Sequence, residues 1–117
     1  EQLEARRLPT EQIELPVGGG DPITVEVRAL PPVEWEALIA LHPPPEEEAG
    51  KLRWHEPTFR PALLAASVFA PDGSQRDEAW WAGLWKAGTV TAGELTGLYW
   101  TAIRLNDQQP QARVGKD

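Results

Sequence analysis

The side chains in this sequence that could carry chemistry or recognition are two histidines, a run of three glutamates and six tryptophans. Nucleophilic catalysis needs a serine or cysteine, a histidine base and an orienting carboxylate. Cysteine is absent, and neither His42 nor His55 is spaced to pair with a serine and an acid. His42 closes a predicted helix, where an imidazolium is favoured by the helix dipole. Glu46-Glu47-Glu48, with His55-Glu56 nearby, has the donor types of a weak metal site. The simpler reading is a solvated face, or the first turn of a short helix started by Pro43-Pro44-Pro45. The remaining acids scatter over predicted solvent faces and helix starts, so no pair is singled out for acid–base work. Gly18-Gly19-Gly20 lacks the lysine and the following helix of a phosphate-cradling loop. The expectation is a protein that is not an enzyme and takes no cofactor and no metal.

What remains is tryptophan. At roughly 100° per residue, Trp80, Trp81, Leu84 and Trp85 spread over a helix stripe of roughly 140°. Trp35, Trp81 and Trp85 suit a core. Trp80 lies at the stripe's edge, and Trp100 and Ile103 face away from the centre of the last helix's apolar side. Partly exposed tryptophan inside a polar rim is the composition of a protein-binding hot spot. The candidate partner-binding set is therefore Trp80, Trp81, Trp85, Trp100 and Ile103. Aromatic platforms also bind sugars, but such modules are usually β-sandwiches from secreted, often disulfide-bearing chains.

Composition narrows the classes further. A chain of 117 residues makes one domain that buries about two thirds of its unfolded surface. A net charge of −7 argues against nucleic acid, because phosphate contacts need clustered Lys and Arg. No basic amphipathic helix is present to hold a membrane surface, and no apolar run approaches a bilayer span. No signal peptide is visible, and the lack of cysteine fits a cytosolic life. The chain lacks methionine, so Glu1 is not expected to be the translated start.

The elements that must position these residues follow in order. Residues 1–10 form a charged arm or a short helical turn, and 11–107 a single globular domain. Ile13, Leu15 and Val17 alternate with polar residues, as do Ile23, Val25 and Val27. These two stretches predict a β-hairpin over 11–28 around a Gly-rich loop. A helix over about 33–41 places Trp35, Leu38, Ile39 and His42 on one side. A second, over 58–70, is apolar nearly all round, as a buried central helix is. Thr58 is its expected N-cap, with Pro61 at the third helical position. A third helix, over 75–87, is capped by Ser74 and closed by Gly88. The last, over 92–106, opens with a Thr91–Glu94 capping box and presents Leu95, Leu98, Tyr99, Ala102 and Leu105 to the core. Residues 108–117 are polar and patternless, and disorder is expected there. The fold class is α+β, mainly α: an N-terminal β-hairpin followed by about four helices packed around a buried central one.

The order of motifs is familiar. Val27-Arg28-Ala29-Leu30-Pro31-Pro32 leads to Phe59-Arg60-Pro61-Ala62-Leu63, then Leu84-Trp85, and a last helix ending Leu105-Asn106. Over residues 23–107 this resembles the tail assembly chaperones of long-tailed, siphovirus-type bacteriophages and prophages, those of actinobacteria above all. Arg60 stands where that family often has proline, and Trp80-Trp81 is richer in aromatic surface than its usual pattern.

The resemblance implies a non-catalytic role in the bacterial host cytoplasm. Such chaperones bind the tape measure protein, keep it soluble, help recruit major tail tube protein, and leave before the virion matures. A longer frameshifted form of the chain and a homo-oligomer are further partners it implies. Gly115-Lys116 is a dipeptide that a slippery coding run would give. The alternative is a non-catalytic structural adaptor, or interaction domain, retained in a phage tail.

Overall fold

The computed structural model describes residues 2–16 and 20–107. Val17, the rest of the loop at 17–19, the terminal stretch 108–117 and with it Gly115-Lys116 lie outside the described residues. The fold is α+β and mainly α, with a three-stranded antiparallel sheet packed against helices.

A single helical turn, α1 (Gln2–Ala5), precedes strand β1 (Thr10–Leu15), which pairs with β2 (Ile23–Arg28). Ile13 stands opposite Val25 and Leu15 opposite Ile23. Alternate side chains therefore share one face, and there Val27 is completely buried. Helix α2 (Pro32–Ala40) starts with proline at N1, where a missing N–H costs nothing, and buries Trp35. His42 does more than end this helix. Its carbonyl accepts from the His55 N–H at 2.8 Å and its ring meets Phe59 edge-on at 5.9 Å. Glu46–Glu48 form a 3-10 turn after the prolines.

The central helix is α3, Glu56–Ser67, displaced from the 58–70 expected. Thr58 is not its N-cap. It sits in the first turn, where its hydroxyl donates to the His55 carbonyl at 3.2 Å. His42 Nδ1 and His55 Nδ1 lie 2.9 and 3.1 Å from the same oxygen. The earlier start moves Pro61 into the helix interior, where its ring withholds the N–H that Pro57 O would accept. The helix is central as expected, with Phe59, Leu63 and Leu64 all completely buried.

The helix also stops early, because Val68–Phe69 form β3. They pair antiparallel with β2, Val68 opposite Val27 and Phe69 opposite Glu26. The hairpin is thus part of a three-stranded sheet. A β-branched and an aromatic residue suit a strand, and Pro71 steers Ala70 out of the helical region. The second edge of β2 supplies the backbone partners.

Helix α4 is Glu78–Leu84, shorter than 75–87, and Asp77 rather than Ser74 caps it. Asp77 Oδ1 accepts from Trp80 N at 2.9 Å. Ser74 belongs to the preceding turn, giving both its N–H and its hydroxyl to Asp72 Oδ1 at 2.9 and 2.7 Å. Gly73 allows that turn with φ of 86°, a left-handed value that a Cβ disfavours. Gly88 does not close a left-handed helix end; the chain leaves Leu84 through turns in which Ala87 N reaches Gly83 O at 3.0 Å. Helix α5 (Ala92–Asp107) has the expected capping box: Glu94 N donates to Thr91 Oγ1 at 3.0 Å, and Thr91 N to Glu94 Oε1 at 2.9 Å. Its Leu95, Leu98, Tyr99, Ala102 and Leu105 are buried as the periodicity predicts. No helix among the described residues is long and apolar enough to cross a membrane.

Candidate partner-binding site

Trp80 and Trp81 are consecutive on α4, so their side chains diverge by roughly 100° around the helix axis. The structure uses the divergence. Trp81 is 6% exposed and joins the core, whereas Trp80 keeps 41% of its surface exposed. The rings meet edge-on, centroids 5.0 Å apart at 89°, so the buried indole steadies the exposed one. The Arg76 guanidinium carbon lies 5.2 Å from the Trp80 ring centre, a cation–π contact.

Trp80 borders an apolar groove of about 350 Å³. The loop end of the sheet, Leu15, Ile23 and Val25, also lines it, together with Val68, Leu84 and Leu98. Ile23 is 48% exposed, a large aliphatic side chain left open in the groove that Trp80 also lines. The strand is why. Its core-facing series Ile23, Val25, Val27 extends beyond the reach of the helices at the hairpin's loop end.

Arg76 is the one charged residue among those lining the groove. Asp72 and Asp77 directly follow the lining residues Pro71 and Arg76 in the chain. Asp72 is held below the ordinary carboxylate range, chiefly by the Ser74 hydroxyl and then by the Ser74 N–H.

The other three candidates lie elsewhere. Trp85 is half-buried on the α3 side, with the Arg60 guanidinium carbon 5.2 Å from its ring centre. Ile103 is 8% exposed and belongs to the core, so it presents almost nothing to a partner. Helix phase alone put it off the stripe, but packing on α5 extends around to it. Trp100 is 55% exposed, resting edge-on against Tyr99 at 5.5 Å, and does not line the groove. The set therefore splits into an open Trp80, an open Trp100, and three residues committed wholly or largely to packing.

Sequence reasoning did not place Ile23, Leu15 and Pro71 in a site. Their signal was faint: an apolar strand end beside a Gly-rich loop, and a proline just after a buried segment. Trp54, outside the candidate set, stacks on Phe59 at 4.3 Å and donates its indole N–H to Tyr99 Oη at 3.0 Å.

A second hollow, about 420 Å³, lies between Leu8, Trp35, Ile39 and Leu105. Glu36 and an Arg53–Asp107 ion pair of 3.1 Å border it, making it more polar than the Trp80 groove. Among the described residues no group of three or more His, Cys, Asp or Glu is placed to hold a metal ion. Comparisons with described protein families, curated proteins and solved structures find no match for this chain.

Proposed function

We propose that this chain is a phage tail assembly chaperone that binds the tape measure protein, keeps it soluble and helps recruit tail tube subunits in the host cytoplasm. The observation that supports this reading is the apolar groove lined by Trp80 and Ile23 on a strongly acidic chain. A tape measure protein exposes long apolar helical stretches until the tube encloses it. A groove walled by a fixed indole and aliphatic side chains is suited to the apolar stripe of such a helix. Acidic residues outside the groove favour client segments with flanking Lys or Arg and keep the complex soluble. Modest contacts repeated along one long client add up through avidity.

The test is co-expression with the tape measure protein encoded nearby, followed by pull-down with wild type and with Trp80→Ala. The expected result is a soluble complex that the substitution weakens several-fold. A tape measure protein equally soluble alone, with no complex, would overturn the reading. Recovery of the chain in purified virions would favour the tail adaptor instead.

A further inference from the structure

Strand β1 is an edge of the sheet, and the direction of its backbone groups can be derived. Pro9 O accepts from Ala29 N at 3.0 Å, so position 9 points its backbone toward β2. By alternation positions 11, 13 and 15 do the same, and Thr10, Gln12 and Glu14 turn their N–H and C=O groups outward. No other strand pairs with them among the described residues.

Natural edges are usually guarded by proline, lysine, a bulge or an inward-pointing charge. Within Thr10–Leu15 there is no proline or lysine, Pro9 and Pro16 only bracketing the strand, and it pairs with β2 without a bulge. Its one charge on the helix-covered face, Glu11, is neutralised by Arg104 of α5 at 2.5 Å. Trp100, one turn before Arg104 and 55% exposed, belongs to the same outward stripe of α5.

We propose that this edge binds a second copy of the chain, β1 against β1, antiparallel about a twofold axis at Ile13. The edge is self-complementary in that register. Gln12 of each copy exchanges backbone hydrogen bonds with the partner's Glu14, both from the outward-pointing set. Ile13 faces its own counterpart at a non-hydrogen-bonded position, where side chains approach most closely and a β-branched pair packs well. Glu11 falls opposite Leu15 and Glu14 opposite Gln12, whose amide can donate to the carboxylate. No carboxylate opposes another, which would be destabilising. The far edge, β3, is only two residues long and cannot extend the sheet comparably. The dimer is a six-stranded sheet whose seam runs past Leu15 at the rim of each groove, and it does not depend on the chaperone reading.

Because the chain contains no cysteine, Ile13→Cys introduces a single thiol. Across a non-hydrogen-bonded antiparallel pair, Cα atoms about 4.5 Å apart lie within disulfide range. The experiment is sedimentation of the purified chain, with mild oxidation of Ile13→Cys and, as control, Gln12→Cys. Dimeric wild type and a covalent dimer from Ile13→Cys many-fold faster than from Gln12→Cys are expected. Gln12→Pro removes only an outward N–H, so it should fold with an unchanged circular dichroism spectrum and sediment as a monomer. Monomeric wild type, equal cross-linking at both positions, or a dimer that survives Gln12→Pro would each overturn the proposal. So would a monomer whose capture of co-expressed tape measure protein is lost in Gln12→Pro, since the edge would then take a client strand.

Discussion

Asn106 at the end of α5 holds the backbone of Leu30, 76 positions earlier in the chain: its Oδ1 accepts from Leu30 N at 2.6 Å. The same carboxamide donates to Ala102 O at 2.8 Å, which fixes its orientation. One side chain thus locks the last helix to the corner between β2 and α2. Asn106→Ala leaves a part-buried N–H unpaired and should cost about 1–3 kcal/mol. Urea unfolding should show a lower midpoint with an unchanged slope. Asn106→Asp, which keeps the acceptor, should lose less.

Tyr99 is the single tyrosine, 1% exposed, and burial pushes its phenol up to about 12 from 10.0, partly opposed by the Trp54 hydrogen bond. The folded state thus holds the proton to higher pH than the unfolded state. The stability this contributes is intact below pH 10 and is lost as pH rises toward 12. Tyrosinate absorbance, which here reports one residue, should appear only well above pH 10 and together with loss of structure. Ionisation at the ordinary value with the fold intact would show that the ring is not buried as described.

Ser67 is completely buried at the end of α3, and its hydroxyl has no hydrogen-bond partner among the described residues. Removing such a group recovers its desolvation cost, and alanine has the better helix propensity. Ser67→Ala should therefore stabilise the fold by about 1 kcal/mol. In a domain of this size the melting temperature should rise by about 4 °C or more. A lower melting temperature would mean that the hydroxyl is satisfied.

Adjacent tryptophans should respond oppositely to truncation. Trp81→Ala opens a cavity in the core and should cost about 3–5 kcal/mol. Trp80→Ala removes a ring that is 41% exposed and should cost clearly less, about 1–2 kcal/mol, while weakening partner capture. Denaturant titration of both variants, beside the pull-down, separates stability from recognition. Comparable destabilisation by the two would place Trp80 in the core.

Local pattern was enough wherever one element's chemistry decided the outcome. The alternation around Ile13 and Val25 specified the hairpin face, and Thr91 with Glu94 marked the start of α5 correctly. The series Leu95, Leu98, Tyr99, Ala102, Leu105 identified the buried side of that helix. Where two local readings competed, tertiary contacts decided. Val68 and Phe69 continued an apolar helical run, and became a strand because β2 offered unpaired backbone beside them. Asp77 and Ser74 were both able to cap α4, and Ser74 was already engaged by Asp72. Thr58 was a good capping residue, but the helix began two positions earlier and its hydroxyl went to His55.

The sequence by itself determined the class of the fold, the central place of α3 and the sorting of most apolar residues into a core, because periodicity and capping act within a few residues. Which tryptophan remained open, and what shared its groove, only the tertiary structure decided. Exposure depends on where neighbouring elements end: Ile23 and Trp80 stay open along one groove, while Ile103 is covered. The outward set Thr10, Gln12 and Glu14 likewise became readable only when one hydrogen bond, Ala29 to Pro9, fixed the phase of the strand.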